Sequence, residues 1–267
     1  MFTYQLSSLI ENQKFLADYV AGISIPYDDF LEEYILNSDI YTVHHNGEPI
    51  GFFGKQAALL TIFFIQRTSF RWAKAAFADI KQQFVIEQAF VPTTDLGFLS
   101  VMLEDFARVE IQALHFTETD AIVRSPEFSR DQLRLATEAD VEAVEQLAGD
   151  FLDRYAERIR DQHIYVLEDK GELLGLGVLV PNQIMRDCIG TGMFTREDRR
   201  GAGIGRSIIL HLRTIAHELG KTPVPGCWYY NTNSRKTLES AGYITQSKLL
   251  RFYFGEDQIR EVIRERS

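Results

Sequence analysis

The stretch from Thr195 to Leu210, TREDRRGAGIGRSIIL, constrains this chain more than any other part of its sequence. A short apolar run ends at its first residue, and three glycines follow at alternate positions, Gly201, Gly203 and Gly205. An amphipathic helix is predicted to begin near Ile204. A strand, a glycine loop and a helix N-terminus in this order present unpaired backbone amides at the positive end of a helix dipole. The stretch therefore predicts a site that holds phosphate groups.

The two commonest phosphate-binding motifs do not account for this loop. The pattern GxxxxGK[ST] is absent from it, and a dinucleotide fingerprint would need glycine where Arg206 stands. What remains is Arg200-Gly201-Ala202-Gly203-Ile204-Gly205, of the form [RQ]-x-x-G-x-[GA]. A second motif follows about 25 residues later: Asn231-Thr232-Asn233-Ser234, then Leu238 and Ala241-Gly242-Tyr243.

Together and in this order, the two motifs resemble those of the GCN5-related N-acetyltransferases, the GNAT superfamily. The resemblance covers about residues 132–255. It implies an α/β (α+β) fold, with a mixed, mostly antiparallel GNAT-type sheet flanked by helices. It also implies an acetyl-CoA-dependent N-acetyltransferase that transfers an acetyl group to a primary amine of a small molecule or peptide by direct attack on the thioester. The alternative is a non-catalytic acyl-CoA-binding or sensing module.

The resemblance also assigns the residues that bind acetyl-CoA, the expected co-substrate. Backbone amides of the glycine loop would cap the pyrophosphate, two arginines would add charge, and the strand before the loop would hold the pantetheine arm and support the thioester oxyanion. The expected residues are Met193, Phe194, Thr195, Arg200, Gly201, Ala202, Gly203, Ile204, Gly205, Arg206, Asn231 and Ser234, with Lys236 as a further contact.

The groups that move protons are less clearly marked. Asp187, on the approach to the loop, is the candidate base, with Glu197 and Asp198 as alternatives for accepting the proton of the attacking amine. In many relatives, a tyrosine that acts as the general acid stands where this chain has Leu238. Tyr230 is the substitute here, or the thiolate leaves without a dedicated acid. Asn231 resembles the residue that binds the pantetheine or the catalytic water, and it is also a natural helix N-cap.

The first half of the chain shows a weaker similarity to the second. Gly47-Glu48-Pro49-Ile50-Gly51 and Gly171-Glu172-Leu173-Leu174-Gly175 each lie six residues after an Ile-Tyr pair, and both are followed by strand, strand and helix. This pattern predicts that residues 1–130 form an α/β domain, a degenerate GNAT-like copy, joined through the linker Ala121–Asp131 to an acetyltransferase domain at 131–267. The first copy has no glycine at its strand-to-helix junction, 66–69, so only the second would bind phosphate.

Several individual elements are also predicted. Helical spacing favours helices through Met1–Asn37, with Asp28 and Asp29 opening the second of them. Asn46-Gly47 indicates a tight hairpin turn. Phe98–Leu103 is predicted as a strand, and a charged helix as the end of the chain.

Composition limits the partners of this chain. It has 28 basic and 38 acidic residues among 267, for a formal net charge of -10, which argues against nucleic acid or an anionic membrane as a partner. Two cysteines and six scattered histidines show no metal-binding spacing, so no metal is expected. The first residues have no signal-peptide pattern, and the longest apolar-rich stretch, Ala57–Ile65, is too short to span a bilayer. The expectation is a cytoplasmic protein, monomer or homodimer.

Overall fold

The computed structural model describes residues 1–255, and these divide into two compact units. The first unit contains Met1–Leu114 together with the segment from Ser247 onward, and the second contains His115–Gln246. The sequence predicts units of 1–130 and 131–267, whereas the structure divides after Leu114 and again after Gln246. Strand pairing and the packing of the predicted linker explain this division.

The first unit is a sheet with helices on its faces. Its strands run antiparallel in the order β1-β2-β3-β4, and β5 then lies parallel to β4. Its elements are β1 (Phe2–Ser7), α1 (Gln13–Gly22), α2 (Asp29–Leu36), β2 (Asp39–His45), β3 (Glu48–Gln56), β4 (Leu59–Ile65), α3 (Ala73–Gln83), β5 (Gln88–Pro92), α4 (Leu96–Met102) and β6 (Arg108–Glu118), which passes into the second unit.

Aromatic side chains fill the core of the first unit. Phe53, Phe63, Phe77 and Phe98 are buried, in contact with aliphatic residues of the sheet. The segment that begins at Ser247 completes this unit, because Leu249–Tyr253 pairs antiparallel with β5. This pairing explains why the end of the described chain belongs with the first unit and not with the second.

The second unit repeats the same arrangement. β7 to β10 are antiparallel in order, and β11 lies parallel to β10. The predicted fold class is confirmed: a mixed, mostly antiparallel sheet is flanked by helices. The elements are β7 (Leu133–Leu135), α5 (Val141–Ala148), α6 (Tyr155–Arg160), β8 (Ile164–Asp169), β9 (Glu172–Pro181), β10 (Cys188–Thr195), α7 (Ile204–Glu218), β11 (Thr222–Trp228), α8 (Thr232–Ser240) and β12 (Tyr243–Tyr253), which passes into the first unit after Gln246.

The internal repeat extends to irregularities of the backbone. The register of β2 on β3 shifts between Val43 and His44, and that of β8 on β9 shifts at the corresponding place, between Leu167 and Glu168. A side chain on Gly51 would collide with the carbonyl oxygen of Phe64, and one on Gly175 would collide with that of Phe194. Shared bulges and close approaches support the tandem GNAT-like architecture that the sequence pattern suggested.

The predicted linker is packed against α7. The Ser207 hydroxyl oxygen, which is fully buried, accepts hydrogen bonds from the backbone amides of Glu127 (3.0 Å) and Phe128 (3.2 Å). The ring of His211 lies 2.8 Å from the carbonyl oxygen of Phe128. These contacts place the segment within the second unit.

Two element predictions in the first half are wrong. Residues 2–7 form β1 and not a helix, because Phe2, Tyr4 and Leu6 alternate with polar residues and the segment pairs antiparallel with β2. Phe98–Leu103 is not a strand: α4 covers Leu96–Met102, and Asp95 opens it by accepting a hydrogen bond from the Phe98 amide at 2.9 Å.

Other local predictions are confirmed. The Asn46-Gly47 turn has φ of 52° and 86°, and Asp28 caps α2. The predicted charged terminal helix lies outside the described residues. Among residues 1–255, no helix is both long enough and apolar enough to cross a membrane.

Candidate active site

The glycine loop connects the end of β10 to the start of α7. Gly201 and Gly203 have φ of 86° and 81°, a conformation that only glycine adopts readily, and Gly203 is the N-cap of the helix. The amides in the first turn of a helix have no carbonyl partner within it, and at α7 no side chain of the N-cap residue takes that place. A helix of 15 residues thus directs its positive end and its free donors toward the loop.

Gly205 lets this helix begin close to its neighbours. A Cβ atom there would lie 3.0 Å from the Thr195 hydroxyl oxygen and 3.2 Å from the Thr237 Cγ2. Both contacts are tighter than ordinary van der Waals distance. The absence of a side chain at Gly205 therefore brings the start of α7 between the end of β10 and the face of α8.

β10 and β11 separate before they end. Their parallel pairing extends from Cys188 opposite Thr222 to Thr191 opposite Pro225, whereas β10 continues to Thr195 with its other edge still paired to β9. The edge of β10 beyond Thr191 consequently keeps its backbone donors and acceptors available for a ligand.

A cavity of about 1170 Å³ lies at this point in the second unit. Its walls come from the end of β10, the glycine loop, the first turns of α7, and α8, with a further wall at 146–151 that sequence reasoning did not identify. The predicted residues that line it are Met193, Phe194, Thr195, Arg200, Gly201, Gly203, Ile204, Gly205, Arg206, Asn231, Ser234 and Lys236.

Four predicted residues, the alternative base Asp198 among them, do not line the cavity. Ala202 is exposed in the loop, and its amide lies 3.4 Å from the Arg199 carbonyl oxygen. Asp187 is exposed and immediately precedes β10, at the end of the strand opposite the loop. Tyr230 is 50% exposed beyond the end of β11, with its ring against Trp228 and Tyr229.

Asn231 and Leu238 lie at the beginning and the middle of α8. The side-chain oxygen of Asn231 accepts a hydrogen bond from the Ser234 amide at 3.0 Å, so the residue is an N-cap as well as part of the cavity wall. Leu238 is 1% exposed and buried. The position that carries a tyrosine in many relatives is therefore part of the hydrophobic packing here.

Glu127 is a residue of this site that the sequence did not reveal. Its carboxylate accepts a hydrogen bond from Arg206 at 2.5 Å and lies where a side chain on Gly203 would be. Arg124 lies 3.7 Å from the same carboxylate. The hydrogen bond from Arg206 lowers the pKa of Glu127. A carboxylate thus lies at the N-terminus of α7, where an anion is stabilised by the helix dipole.

The two acidic residues of the loop are engaged with arginines. Asp198 accepts a hydrogen bond from Arg196 at 2.7 Å, which lowers the pKa of Asp198. Glu197 lines the cavity and lies 3.1 Å from Arg200. A lowered pKa makes a carboxylate a weaker base, so the geometry does not favour Asp198 in proton abstraction.

Comparison with known families agrees with this geometry. Residues 8–119 match the sequence profile of an acetyltransferase (GNAT) domain, and residues 128–243 match that of the acetyltransferase (GNAT) family. The chain belongs to the GNAT superfamily. It carries two GNAT domains in tandem, and the predicted resemblance, including the degenerate first copy, is confirmed at the level of the family.

Solved GNAT structures share the fold over nearly the whole chain. A GNAT-family acetyltransferase from Colwellia psychrerythraea has a TM-score of 0.85 at 18% identity, covering 96% of this chain and 100% of the other. A GCN5-related N-acetyltransferase from Sphaerobacter thermophilus has a TM-score of 0.59 at 14% identity, covering 94% and 95% of the two chains. A tandem GNAT protein from the clavulanic acid biosynthesis pathway has a TM-score of 0.57 at 11% identity, covering 94% and 98%.

No curated protein matches the chain. Within residues 1–255, no group of three or more histidine, cysteine, aspartate or glutamate side chains is arranged to hold a metal ion.

Proposed function

We propose that this GNAT protein is an acetyl-CoA-dependent N-acetyltransferase whose active site is the cavity of the second unit. One observation carries the proposal: the glycine loop presents the uncapped start of α7 at one end of a cavity whose wall includes the free edge of β10. Phosphate groups and an extended amide chain are the two ligand features that such a cavity recognises. Coenzyme A contains both.

The residues present fit the pyrophosphate of coenzyme A. First-turn amides of α7 donate to phosphate oxygens, and Gly203 leaves room for them to approach. Arg200 and Arg206 add positive charge at the same end of the cavity. When a pyrophosphate binds there, the carboxylate of Glu127 has to move aside, because both anions require the same donors.

The free edge of β10 fits the pantetheine arm. Backbone groups of Met193, Phe194 and Thr195 line the cavity on the side that β11 leaves unpaired. An arm with two amides pairs with such an edge as an added strand does. A backbone amide of this edge is then positioned to stabilise the oxyanion that forms as the thioester is attacked.

The reaction is the attack of a neutral primary amine on the acetyl carbonyl carbon. A carbon–nitrogen bond forms, the carbon–sulfur bond breaks, and the amine loses a proton while the sulfur leaves as thiolate. We retain Asp187 as the proposed base, Tyr230 as the proposed acid and Asn231 as the residue that positions the arm or a water molecule. The acceptor is a small molecule or a peptide with a primary amine.

A non-catalytic acyl-CoA-binding module is the second candidate function. Two observations favour it: Leu238 is buried where an acid would stand, and neither Asp187 nor Tyr230 lines the cavity. Release of free thiol from acetyl-CoA over a panel of primary amines separates the two functions. Turnover on any amine supports the transferase, whereas tight binding without turnover on every amine supports the module.

Substitution at Gly201 tests the phosphate site directly. Both Gly201→Asp and Gly201→Asn impose a side chain on the same left-handed backbone, at a position with open space around it, but only the first adds a negative charge. We expect Gly201→Asp to weaken coenzyme A binding at least tenfold, measured by isothermal titration calorimetry, and Gly201→Asn to weaken it much less.

Gly220→Asp is the control for a charge placed elsewhere on the same helix. Gly220 also has a positive φ and open surroundings, but it follows the C-terminal end of α7. Gly220→Asp should therefore leave the affinity for coenzyme A unchanged. If Gly201→Asp binds coenzyme A as tightly as the unmodified chain does, the pyrophosphate is not held by this loop and the proposal is wrong.

A further inference from the structure

The first unit contains a cavity of its own, of about 620 Å³. Its walls come from the second half of α1, the end of β4, the turn after β4, and the start of α4. Most of the side chains that line it are apolar, among them Phe63, Phe64, Phe70 and Phe98. Its volume lies in the range of small-molecule sites, roughly 300–1,000 Å³.

This cavity occupies the position in the first unit that the coenzyme A cavity occupies in the second. β4 pairs with β5 at Leu59 and Leu60, and then continues to Ile65 with its other edge still paired to β3. Asp95 caps α4 through a side-chain oxygen, as Asn231 caps α8. The repeat thus keeps the space between the separating strands while it changes the residues around it.

The phosphate-binding part is missing from the first copy. The turn after β4 is a 3-10 helix, Arg67–Trp72, that leads directly into α3. It contains no glycine, and the Ser69 amide is bonded to the Gln66 carbonyl oxygen at 2.9 Å. The glycine loop of the second copy has no counterpart at this turn, so coenzyme A is a poor candidate ligand.

Asp95 is the polar centre of this cavity. The residue is 8% exposed, and its Oδ1 accepts the hydrogen bond from the Phe98 amide. Its Oδ2 is buried without a hydrogen-bond partner among the described residues. A buried oxygen without a donor is costly, and in native structures it usually marks a place where a ligand or water completes the site.

The charges around the cavity favour a cationic donor. Asp18 and Asp95 line it with two carboxyl groups, against the single guanidinium of Arg67. Aromatic ring faces also attract a cation, which adds to the preference. Burial raises the pKa of Asp95 to about 7, and a bound ammonium group would counteract that increase.

We propose that this cavity is a second ligand site, for a small molecule with an apolar body and a primary amine that donates a hydrogen bond to Asp95 Oδ2. The phenylalanine side chains contact the apolar body, and the amine donates to the Asp95 oxygen that has no partner among the described residues. The proposal concerns the first unit alone and does not rest on the reaction proposed for the second.

The test compares three probes of one shape on the full chain by isothermal titration calorimetry. The probes are 2-phenylethylamine, 2-phenylethanol and 3-phenylpropanoate, which present an ammonium, a hydroxyl and a carboxylate on the same apolar body. We expect the amine to bind most tightly and the carboxylate not to bind. Asp95→Asn keeps the cap oxygen, and it should weaken amine binding at least tenfold while changing alcohol binding less than threefold.

A second variant tests the location without altering Asp95. Gly22 lines the cavity, has an ordinary backbone φ, and would accept a Cβ with nothing within 4 Å. Gly22→Leu should fill the space and remove binding of both the amine and the alcohol, while circular dichroism shows an unchanged fold. Ala21→Leu is the matched control: Ala21 is the neighbouring residue of α1, is exposed and does not line the cavity, so this variant should retain binding.

Three results would overturn the proposal. The first is that none of the probes binds. The second is that the amine binds to Asp95→Asn and to Gly22→Leu as tightly as it binds to the unmodified chain. The third is that coenzyme A displaces the amine from this site. The last result would show that the first copy kept its ancestral ligand despite the changed turn. Each outcome is independent of whether the second unit transfers acetyl groups, because thiol release is not part of the measurement.

Discussion

At the scale of single residues, Glu127 is expected to compete with coenzyme A for the donors at the start of α7. Its carboxylate accepts a hydrogen bond from Arg206 and lies against Gly203, at the place where a phosphate would receive the same donors. Glu127→Gln removes the competing charge and frees the arginine. We expect coenzyme A to bind up to about tenfold more tightly to this variant in calorimetry, equivalent to about 1.4 kcal/mol.

Glu118→Gln is the matched control for that prediction. The Glu118 side chain is 24% exposed, against 26% for Glu127, and it also faces basic groups of α7, His217 and Arg213. It does not line the cavity. Equal effects of the two substitutions would mean that Glu127 acts on overall charge and not at the phosphate site.

Asp95 predicts a specific dependence of stability on pH. Its pKa is raised from 3.8 to about 7 in the folded chain, so between these values the folded state holds a proton that the unfolded chain has released. Stability therefore falls as the pH rises through this window, by about 4 kcal/mol in total. Three other titratable groups, Tyr19, Asp18 and Arg67, line the same cavity as Asp95.

The measurement is urea denaturation of the unmodified chain and of Asp95→Asn at several pH values from 4 to 8. The variant cannot titrate at this position, so its stability relative to the unmodified chain should rise steadily up to pH 7 and then level off. A constant difference across the range would show that Asp95 does not titrate there.

Of the residues in the candidate site, sequence reasoning found those that belong to the loop motifs. Met193, Gly203 and Asn231 lie on the cavity because a motif fixes its residues on one strand end, one turn and one cap. It did not find Glu127, which lies about 80 residues from its partner Arg206 and carries no local pattern. Such a contact depends on the fold alone.

At the scale of elements, β9, which forms a bulged hairpin with β8, positions β10. A Cβ on Gly175 would come within 2.5 Å of the Phe194 carbonyl oxygen, a backbone atom that cannot easily move. Gly175→Ala should therefore shift the edge of β10, with a loss of about 3 kcal/mol in the free energy of unfolding and weaker coenzyme A binding. Chemical denaturation and calorimetry measure the two effects.

Gly177→Ala provides the comparison for Gly175→Ala. Its Cβ would meet the Cγ2 of Ile208 at 2.8 Å and the Cδ1 of Leu212 at 3.0 Å, which are side-chain methyl groups on α7 and not backbone atoms of β10. We expect a smaller loss of stability and unchanged affinity for coenzyme A. If Gly177→Ala weakens binding as much as Gly175→Ala does, general packing and not the position of β10 determines affinity.

Element predictions succeeded where a pattern was long or punctuated. α7 is amphipathic over four turns and ends at Glu218, two residues before Gly220, and the Asn46-Gly47 turn leaves few alternatives. They failed for α4, a short apolar helix that propensity alone does not separate from a strand. The cap at Asp95 was the available signal for its start. β1 was also missed, although its alternating pattern was present.

At the scale of the whole molecule, two related units are expected to respond to different ligands. Only the second has the glycine loop, whereas the first has an apolar cavity with a buried carboxyl. Hydrogen exchange should therefore show slower amide exchange with coenzyme A at 193–206 and 231–240, and no change at 59–65 or 88–92. Protection of both sets of residues by coenzyme A would mean that both copies bind it.

The sequence alone determined the family, the fold of the second unit and its glycine loop, because these depend on motifs whose residues are close in the chain. It also indicated the repeat, through glycines whose spacing a hairpin requires. Only the tertiary structure decided the rest. Leu249–Tyr253 completes the first unit through pairing with β5, and the predicted linker packs on Ser207. These contacts join residues far apart in sequence, where burial and backbone hydrogen bonding, and not local pattern, select the partner.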